Sequence, residues 1–420
     1  MSKFYTNVLC IGNKILYRGY QDGKRDQVKE LEFSPTLYVS SSKKQTEWTT
    51  VKGLPVESIK PGSIKECKEF VEQYSGVSNM SIYGNTYWHY QYISEEFPGE
   101  IEYDPSQIKL AFLDIETETE KGFPDPADPK ERINAITLRI DDRKYVFGLN
   151  EFDIKEPGVS CVVCSDEEEL LTKFLEVWNE EDPDVLTGWN VEFFDVPYMV
   201  TRITAVLGEK AARKLSPWRV IKPREIERWG KIHTVYNICG VSVLDYYVLY
   251  RKYTYTSQEK YTLDHIAEVE LGKKKIEYTE YKNLKEFYTK DYQRFMEYNV
   301  HDVDLVKELD LKLNLLDLHI SIAYTAKINF DDAFSQVRTW DTIIYNHLLT
   351  KHKVIPMRKD SVKTEKFAGA YVKEPQLGFS KWVVSFDLNS MYPMTICQLN
   401  VCPSKLISED DLLKMRKLLE

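Results

Sequence analysis

The sequence predicts a multidomain chain of α/β and α+β architecture, and three observations predict it. At 420 residues the chain exceeds the size at which one core keeps growing, so it should divide into two or three domains. From Ile108 to about residue 314, short apolar runs alternate with amphipathic stretches of helical period, the mark of an α/β domain. With 43% apolar and 13% aromatic residues, real cores can be buried, which excludes a largely disordered protein. The expected divisions are an N-terminal mixed α+β domain at 1–107, completed by 315–357, a central domain at 108–314, and a third at 358–420.

The elements follow in order. FYTNVLC and ILYRGY alternate as strands, with a Gln-Asp-Gly-Lys turn at 21–24. A helix is expected around 63–74, then aromatic-rich strands near Ser81–Tyr92. IKLAFLD reads as a buried strand delivering Asp114 at or near its end. INAITLRI and KYVFGL are the next two strands. Ser165 followed by Glu168 forms a capping-box pattern ahead of an amphipathic helix at 166–180 carrying Leu170, Leu171, Phe174, Leu175 and Trp178. DVLTGWN is a strand ending in a turn, and Val196–Leu207 a helix. KIHTVYN and VSVLDYY are strands, with Trp229-Gly230 at a hairpin tip. Long helices are expected at 291–317 and 331–350. A basic linker then leads to a strand beginning KWVVSFDLNSMYP at 381.

Composition narrows the class. No apolar run approaches the ~20 residues that span a bilayer, and MSKFYTNVLC carries no secretory pattern. An intracellular protein without a membrane role is expected. The seven cysteines have no framework spacing. Cys161 and Cys164 form a C-x-x-C without the second pair that a zinc site wants, so reduced thiols in or near a strand are expected. A net charge of −10 argues against a nucleic-acid surface overall, yet basic residues gather at Lys210–Lys231 and Lys351–Lys366. Each stretch read alone is equally a solvated loop.

The chemistry sits in three short motifs. Asp114 and Glu116 in LAFLDIETE lie two apart on a strand, so they share a face and can chelate one cation. An isolated D-x-E is often an exposed strand end, but Asp114 follows four apolar residues, where an uncompensated charge is costly. Asp195 ends TGWNVEFFD at a helix start, where a simple N-cap is the bland alternative. Tyr298 and Asp302 in YNVHD are four apart on one helix face. A structural Tyr–Asp pair would explain them alone. The joint occurrence favours a metal-dependent phosphodiesterase, with Tyr298 orienting a water. Oxygen ligands of this kind suit Mg or Mn, and two such ions can stabilise both the attacking and the leaving oxygen at a phosphate. Asp245, in SVLDYYVLY, is expected to cap a helix or support the site rather than touch metal.

FLDIETE, GWNVEFFD and YNVHD resemble the three motifs of the proofreading exonuclease in family B DNA polymerases. SFDLNSMYP is similar to that family's first polymerase motif, and FAGAYVKEP to the segment joining exonuclease and palm. GWNVEFFDVPY, KLSPWR, SVLDYYVLY, AYTAKI and GAYVKEP are similar to replicative polymerases of T-even-type bacteriophages, over essentially the whole chain. The resemblance implies a ribonuclease H-like 3′–5′ exonuclease of the DEDDy subclass at 108–314 and the start of a polymerase palm at 358–420. By position, Asp114, Glu116, Asp195 and Asp302 would bind two Mg or Mn ions, with Tyr298 placing the water. The histidine subclass would need histidine where Glu297 stands, so His301 is incidental. Asp387 would be one of two polymerase metal ligands, Tyr392 would lie under the sugar, and Leu388 and Ser390 would join them around the nucleotide. The hairpin near 219–237 would part primer from template. Phe123, Asn190, Trp229 and Lys373 would touch DNA.

The departures matter as well. Neither K-x-x-x-N-S-x-Y-G nor D-T-D occurs in these residues. The expectation is therefore an N-terminal part or split subunit of a replicative polymerase with a whole editing site and an incomplete polymerase site. A complementing C-terminal chain, single-stranded DNA, primer-template, a sliding clamp and single-stranded-DNA-binding protein are the partners implied. The alternatives are a free-standing repair or RNA-processing nuclease, which has no use for SFDLNSMYP, and a non-catalytic nucleic-acid-binding subunit, which the intact carboxylates disfavour.

Overall fold

The structure is a computed structural model that describes residues 3–26, 29–75, 77, 80–119, 124–228, 230–358, 369–402, 407 and 409–419. It divides into two compact units, Met1–Lys359 and Asp360–Glu420.

In the first unit β1 (Lys3–Ile11), β2 (Lys14–Gln21), β3 (Lys24–Arg25) and β4 (Lys29–Glu32) form one sheet. The expected turn is present: Asp22 and Gly23 take φ of 52° and 78° between Gln21 and Lys24, which pair directly. Both central residues of a tight hairpin turn must be left-handed, and Asp-Gly supplies that. A second sheet holds β5 (Leu37–Ser40), β6 (Trp48–Thr50) and β7 (Pro55–Ile59). α1 (Ile64–Tyr74) starts at a reciprocal capping box between Ser63 and Glu66. After β8 (Ile82–Tyr83) the aromatic stretch forms α2 (Trp88–Glu96) rather than the expected strand. Aromatic β-propensity largely reflects packing; here Trp88, Tyr90 and Ile93 are buried in the first unit's core on a helix.

The central sheet comprises β9 (Leu110–Thr117), β10 (Ile133–Ile140), β11 (Arg143–Gly148) and β12 (Val159–Val163). It is completed by β13 and β16, defined next. α3 (Glu167–Glu181) precedes β13 (Val185–Thr187). Then come α4 (Asp195–Leu207), α5 (Glu209–Ala212), the hairpin β14 (Ile221–Arg228) and β15 (Lys231–Ile238), and β16 (Ser242–Val243). The strand order is β12-β11-β10-β9-β13-β16. β9, β10 and β11 run antiparallel, while β13 lies parallel to both β9 and β16, consistent with the ribonuclease H-like sheet expected. Cys161 lies in β12 and Cys164 is buried just after it, both as free thiols.

Two boundaries here differ from expectation. The cap of α3 is Asp166, which accepts from the Glu169 amide, and Glu169 reaches back to Ser165. Ser165 therefore sits one position outside the cap. The run VSVLDYY is a strand only at Ser242–Val243, because Asp245 caps α6 (Tyr246–Tyr253) and turns the chain into helix.

α7 (Leu263–Leu271) and α8 (Leu284–Lys290) lead to α9 (Tyr292–Leu313), which packs on β9 and β10. The expected helix 291–317 breaks at Asn314, whose φ of 52° cannot continue a right-handed helix. α10 (Leu315–Ala326) and α11 (Gln336–Thr350) follow, and β17 (Lys353–Val354) pairs parallel with β6. That pairing closes the second sheet in the order β17-β6-β7-β5-β8.

The second unit contains α12 (Met391–Gln398) and α13 (Glu409–Leu419). The strand expected from 381 does not form among the described residues; 383–388 is irregular chain. A strand exists only through backbone pairing with a neighbour, and the described residues of this unit include none.

Candidate active site

β9 buries its two faces differently. Ala111, Leu113 and Ile115 join the core with α3 and α4, whereas Phe112 packs toward the N-terminal segment and α9. The two-residue period puts Asp114 and Glu116 on the Phe112 face, toward α9. There α9 supplies Tyr298 and Asp302, one turn apart. One carboxylate oxygen from each of Asp114, Glu116 and Asp302 lies within 4.8 Å of the others.

Asp195 reaches the group from α4. It is the first helical residue, and its carboxylate turns to β9, where Oδ1 accepts the Ile115 amide at 3.1 Å. That amide is available because β13 pairs with β9 only as far as Thr187↔Phe112. Gly188 lets the chain leave there: a Cβ at this position would stand 2.4 Å from the Leu113 carbonyl oxygen. Carboxylates thus gather where β9 has an antiparallel neighbour on one side and a diverging parallel one on the other, the crevice where open α/β sheets bind ligands.

Two residues of this site escaped the sequence reading. Lys275, in the loop before α8, donates to the Tyr298 hydroxyl at 3.0 Å and to Asp302 Oδ2. Asn299 donates from Nδ2 to Asp114 Oδ2 at 2.6 Å, while its oxygen accepts from Thr137 Oγ1 at 2.5 Å. Asn299 follows Tyr298 in the YNVHD run and could have been weighed there. Lys275 lies in a lysine run, Lys273–Lys275, which gives no sign of which ammonium turns inward.

The electrostatics of the cluster favour protonated carboxylates unless other charges compensate them. Burial, reinforced by neighbouring carboxylates, raises Asp114 well above the carboxylate range and pushes Glu116 up to about 8. Burial raises Asp195 to about 7, against the pull of the Ile115 amide, and lifts Asp302 too. Tyr298 is pushed up by burial and then by Asp302 and Glu116. Burial opposes the charge on Lys275, but Asp302, Tyr298 and Asp114 outweigh it and hold the ammonium. One cation cannot balance four carboxylates, and Asp302 Oδ1 is buried without a hydrogen-bond partner among the described residues. An all-oxygen donor set with an unpartnered oxygen fits hard divalent ions.

The cleft around these groups has a volume of about 910 Å³, and Asn190 lines it. Asp245 supports it from behind, accepting the Asn190, Glu192 and Tyr247 amides at 2.9–3.1 Å. His301 bonds the Lys274 carbonyl at 2.9 Å. Phe123 and Trp229 lie outside the described residues, as do 359–368 of the second basic stretch. In the first basic stretch Arg224 pairs with Glu192 and Arg213 with Glu209. In the second unit Asp387 and Leu388 lie in the irregular run, Ser390 has φ of 54° just before α12, Tyr392 is on α12, and Lys373 is exposed.

Comparison with known proteins finds two family models. One described as DNA polymerase family B, exonuclease domain, matches residues 57–266, and one described as DNA polymerase family B matches 334–418. Asp114, Glu116 and Asp195 fall in the first match; Tyr298 and Asp302 lie between the two. The DNA-directed DNA polymerase of Escherichia phage RB69 is 34% identical, and that of Enterobacteria phage T4 is 32% identical, each over 96% of this chain. A DNA polymerase of Pyrococcus glycovorans is 28% identical over 72% of the chain. The chain spans 47% of the length of each phage relative. Among the described residues no helix is long and apolar enough to cross a membrane.

Proposed function

The chain belongs to DNA polymerase family B, with an exonuclease domain and part of a polymerase domain matching the N-terminal part of a replicative polymerase, and from that premise we propose that its acidic cleft is a 3′–5′ proofreading exonuclease acting on single-stranded DNA. The observation that carries the proposal is the convergence of Asp114, Glu116 and Asp302 in one cleft with Asp195, Tyr298 and Lys275 beside them. Asp114, Glu116, Asp195 and Asp302 would hold two Mg or Mn ions, whose chemistry is to activate water and stabilise charge on the phosphate oxygens.

The chain's own groups account for the rest. Asn299 fixes the rotamer of Asp114, and the Ile115 amide fixes Asp195. Tyr298, its hydroxyl held by Lys275, positions a water oxygen for attack on the terminal phosphorus. The bond to the preceding 3′ oxygen breaks, releasing a nucleoside monophosphate. The domain division at about 107 and 314 belongs to the same proposal. So does an assignment of Asp387, Leu388, Ser390 and Tyr392 to the nucleotide end of a polymerase site, and of Lys373 to DNA. We assign the protein to replication in the cytoplasm of a phage host, beside a clamp and a single-strand-binding protein.

The test is digestion of 5′-labelled single-stranded DNA with Mg or Mn. The chain should shorten it from the 3′ end, and Asp114→Ala with Glu116→Ala should abolish this. Activity surviving the double substitution would refute the site. Residues 1–420 lack the second and third polymerase motifs, so with nucleotides and primed template they should not extend the primer by themselves.

A further inference from the structure

We propose that Trp189, Tyr247 and Tyr261, together with Arg251, form a stacking ledge that holds an unpaired base of the substrate strand, upstream of the terminal nucleotide. The inference rests on the exonuclease reading and deepens it. The three aromatic residues line the same cleft as Asp114, Glu116 and Asp302, and their rings are half-buried. Trp189 meets Tyr247 edge to face at 5.9 Å, and Tyr247 meets Tyr261 the same way at 6.4 Å. Arg251, exposed on α6, lies 5.6 Å from the Tyr247 ring and 4.9 Å from the Tyr261 ring, and its Nη1 donates to the Tyr247 hydroxyl at 2.9 Å.

The polar ends of these rings are tied back. Trp189 Nε1 donates to the Tyr261 carbonyl at 3.2 Å, and the Tyr261 hydroxyl accepts the Gln258 amide at 3.2 Å. Rings fixed in this way offer π faces and edges rather than hydrogen-bonding groups to the cleft. These rings form a wall of the cleft, with the exposed Arg251 guanidinium beside two of them. Every base has a π face, so a ring ledge grips any sequence. An editing nuclease needs that indifference, because any of the four bases can stand upstream of the terminal nucleotide. The Arg251 guanidinium, which here engages ring faces and a phenol oxygen, adds a cationic partner for the base or its phosphate.

Single-turnover and steady-state digestion of labelled oligonucleotides tests the ledge. Arg251→Ala and Tyr247→Ala should each raise KM about tenfold, the scale of one lost base stack, with kcat within about twofold because ground and transition states lose the same contact. Tyr247→Phe keeps the ring and should stay within about threefold of the parent. An abasic nucleotide moved inward from the 3′ end should, at one position, erase the difference between parent and Tyr247→Ala. Unchanged KM in both alanine variants, equal damage from phenylalanine and alanine, or a Tyr247→Ala penalty that no abasic position removes would each overturn the ledge. Fluorescence anisotropy of a labelled single strand on the Asp114→Ala/Glu116→Ala chain separates the two readings. Weaker binding on adding Tyr247→Ala supports the ledge even if the parent proves unable to digest DNA, and unweakened binding refutes it even if the parent digests.

Discussion

At Asp114 a carboxylate accepts one amide, from Asn299, and otherwise faces Glu116, Asp195 and Asp302 with Lys275 the main counter-charge. The consequence is a pH dependence of defined sign. Unfolded carboxylates titrate near 4, whereas burial holds Glu116 at about 8 and Asp195 at about 7. Between those values the folded chain keeps protons that the unfolded chain has released, so the metal-free protein loses stability as pH rises. In chelator, the urea midpoint should fall from pH 5 to pH 8. Mg at pH 8 should restore it by binding only the folded form, and Asp114→Asn with Glu116→Gln should flatten the slope. A midpoint at pH 8 indifferent to Mg would contradict the cation role of the cluster.

Among the elements, the segment from β16 to α6 shows how one residue sets a boundary and a site together. Asp245 caps α6 and also holds the Asn190 and Glu192 amides on the loop between β13 and α4. An ordinary N-cap contributes about 1 kcal/mol. Removing this one strands further amides in a part-buried loop, so Asp245→Ala should cost about 2–3 kcal/mol in denaturant unfolding. Asp245→Asn, which retains an accepting oxygen, should cost less than half of that. Equal losses would mean that charge rather than hydrogen bonding holds the loop. Asn314 acts in the same way between α9 and α10: its left-handed φ ends the helix that carries Tyr298 and Asp302.

On the scale of the first unit, the N-terminal sheet is fastened to the central sheet by a buried ionic clasp. Arg18 of β2 is 1% exposed, donates to the carbonyls of Asp182, Pro183 and Gly240, and pairs with Asp182 and Asp184. Asp184, fully buried ahead of β13, also accepts from Thr6, Tyr20 and Arg25 and from the Lys109 amide. Removing Arg18 leaves two carboxylates, Asp182 and the buried Asp184, sharing the one guanidinium of Arg25. Arg18→Ala should therefore destabilise by about 3–5 kcal/mol, well beyond the loss from an exposed pair such as Lys65–Glu69. Urea denaturation of Arg18→Ala and Lys65→Ala checks the contrast, and similar midpoints would show that the clasp contributes no more than a surface pair.

The sequence by itself determined the central strands, the two-residue spacing of Asp114 and Glu116, the helix carrying Tyr298 and Asp302, and the family. Each rests on local periodicity or on a short motif, which neighbouring residues encode directly. It misplaced the 88–92 stretch, the α3 cap, the ends of β16 and α9, and the 381 strand. In each case the outcome depended on what the segment packs or pairs against, or on one backbone torsion. Only the tertiary structure decided that Asp195 turns from its helix to the Ile115 amide, that Asn299 orients Asp114, and that Lys275 alone of three adjacent lysines enters the site. Those choices balance the cost of burying charge against partners far away in the chain, a balance that no local pattern records.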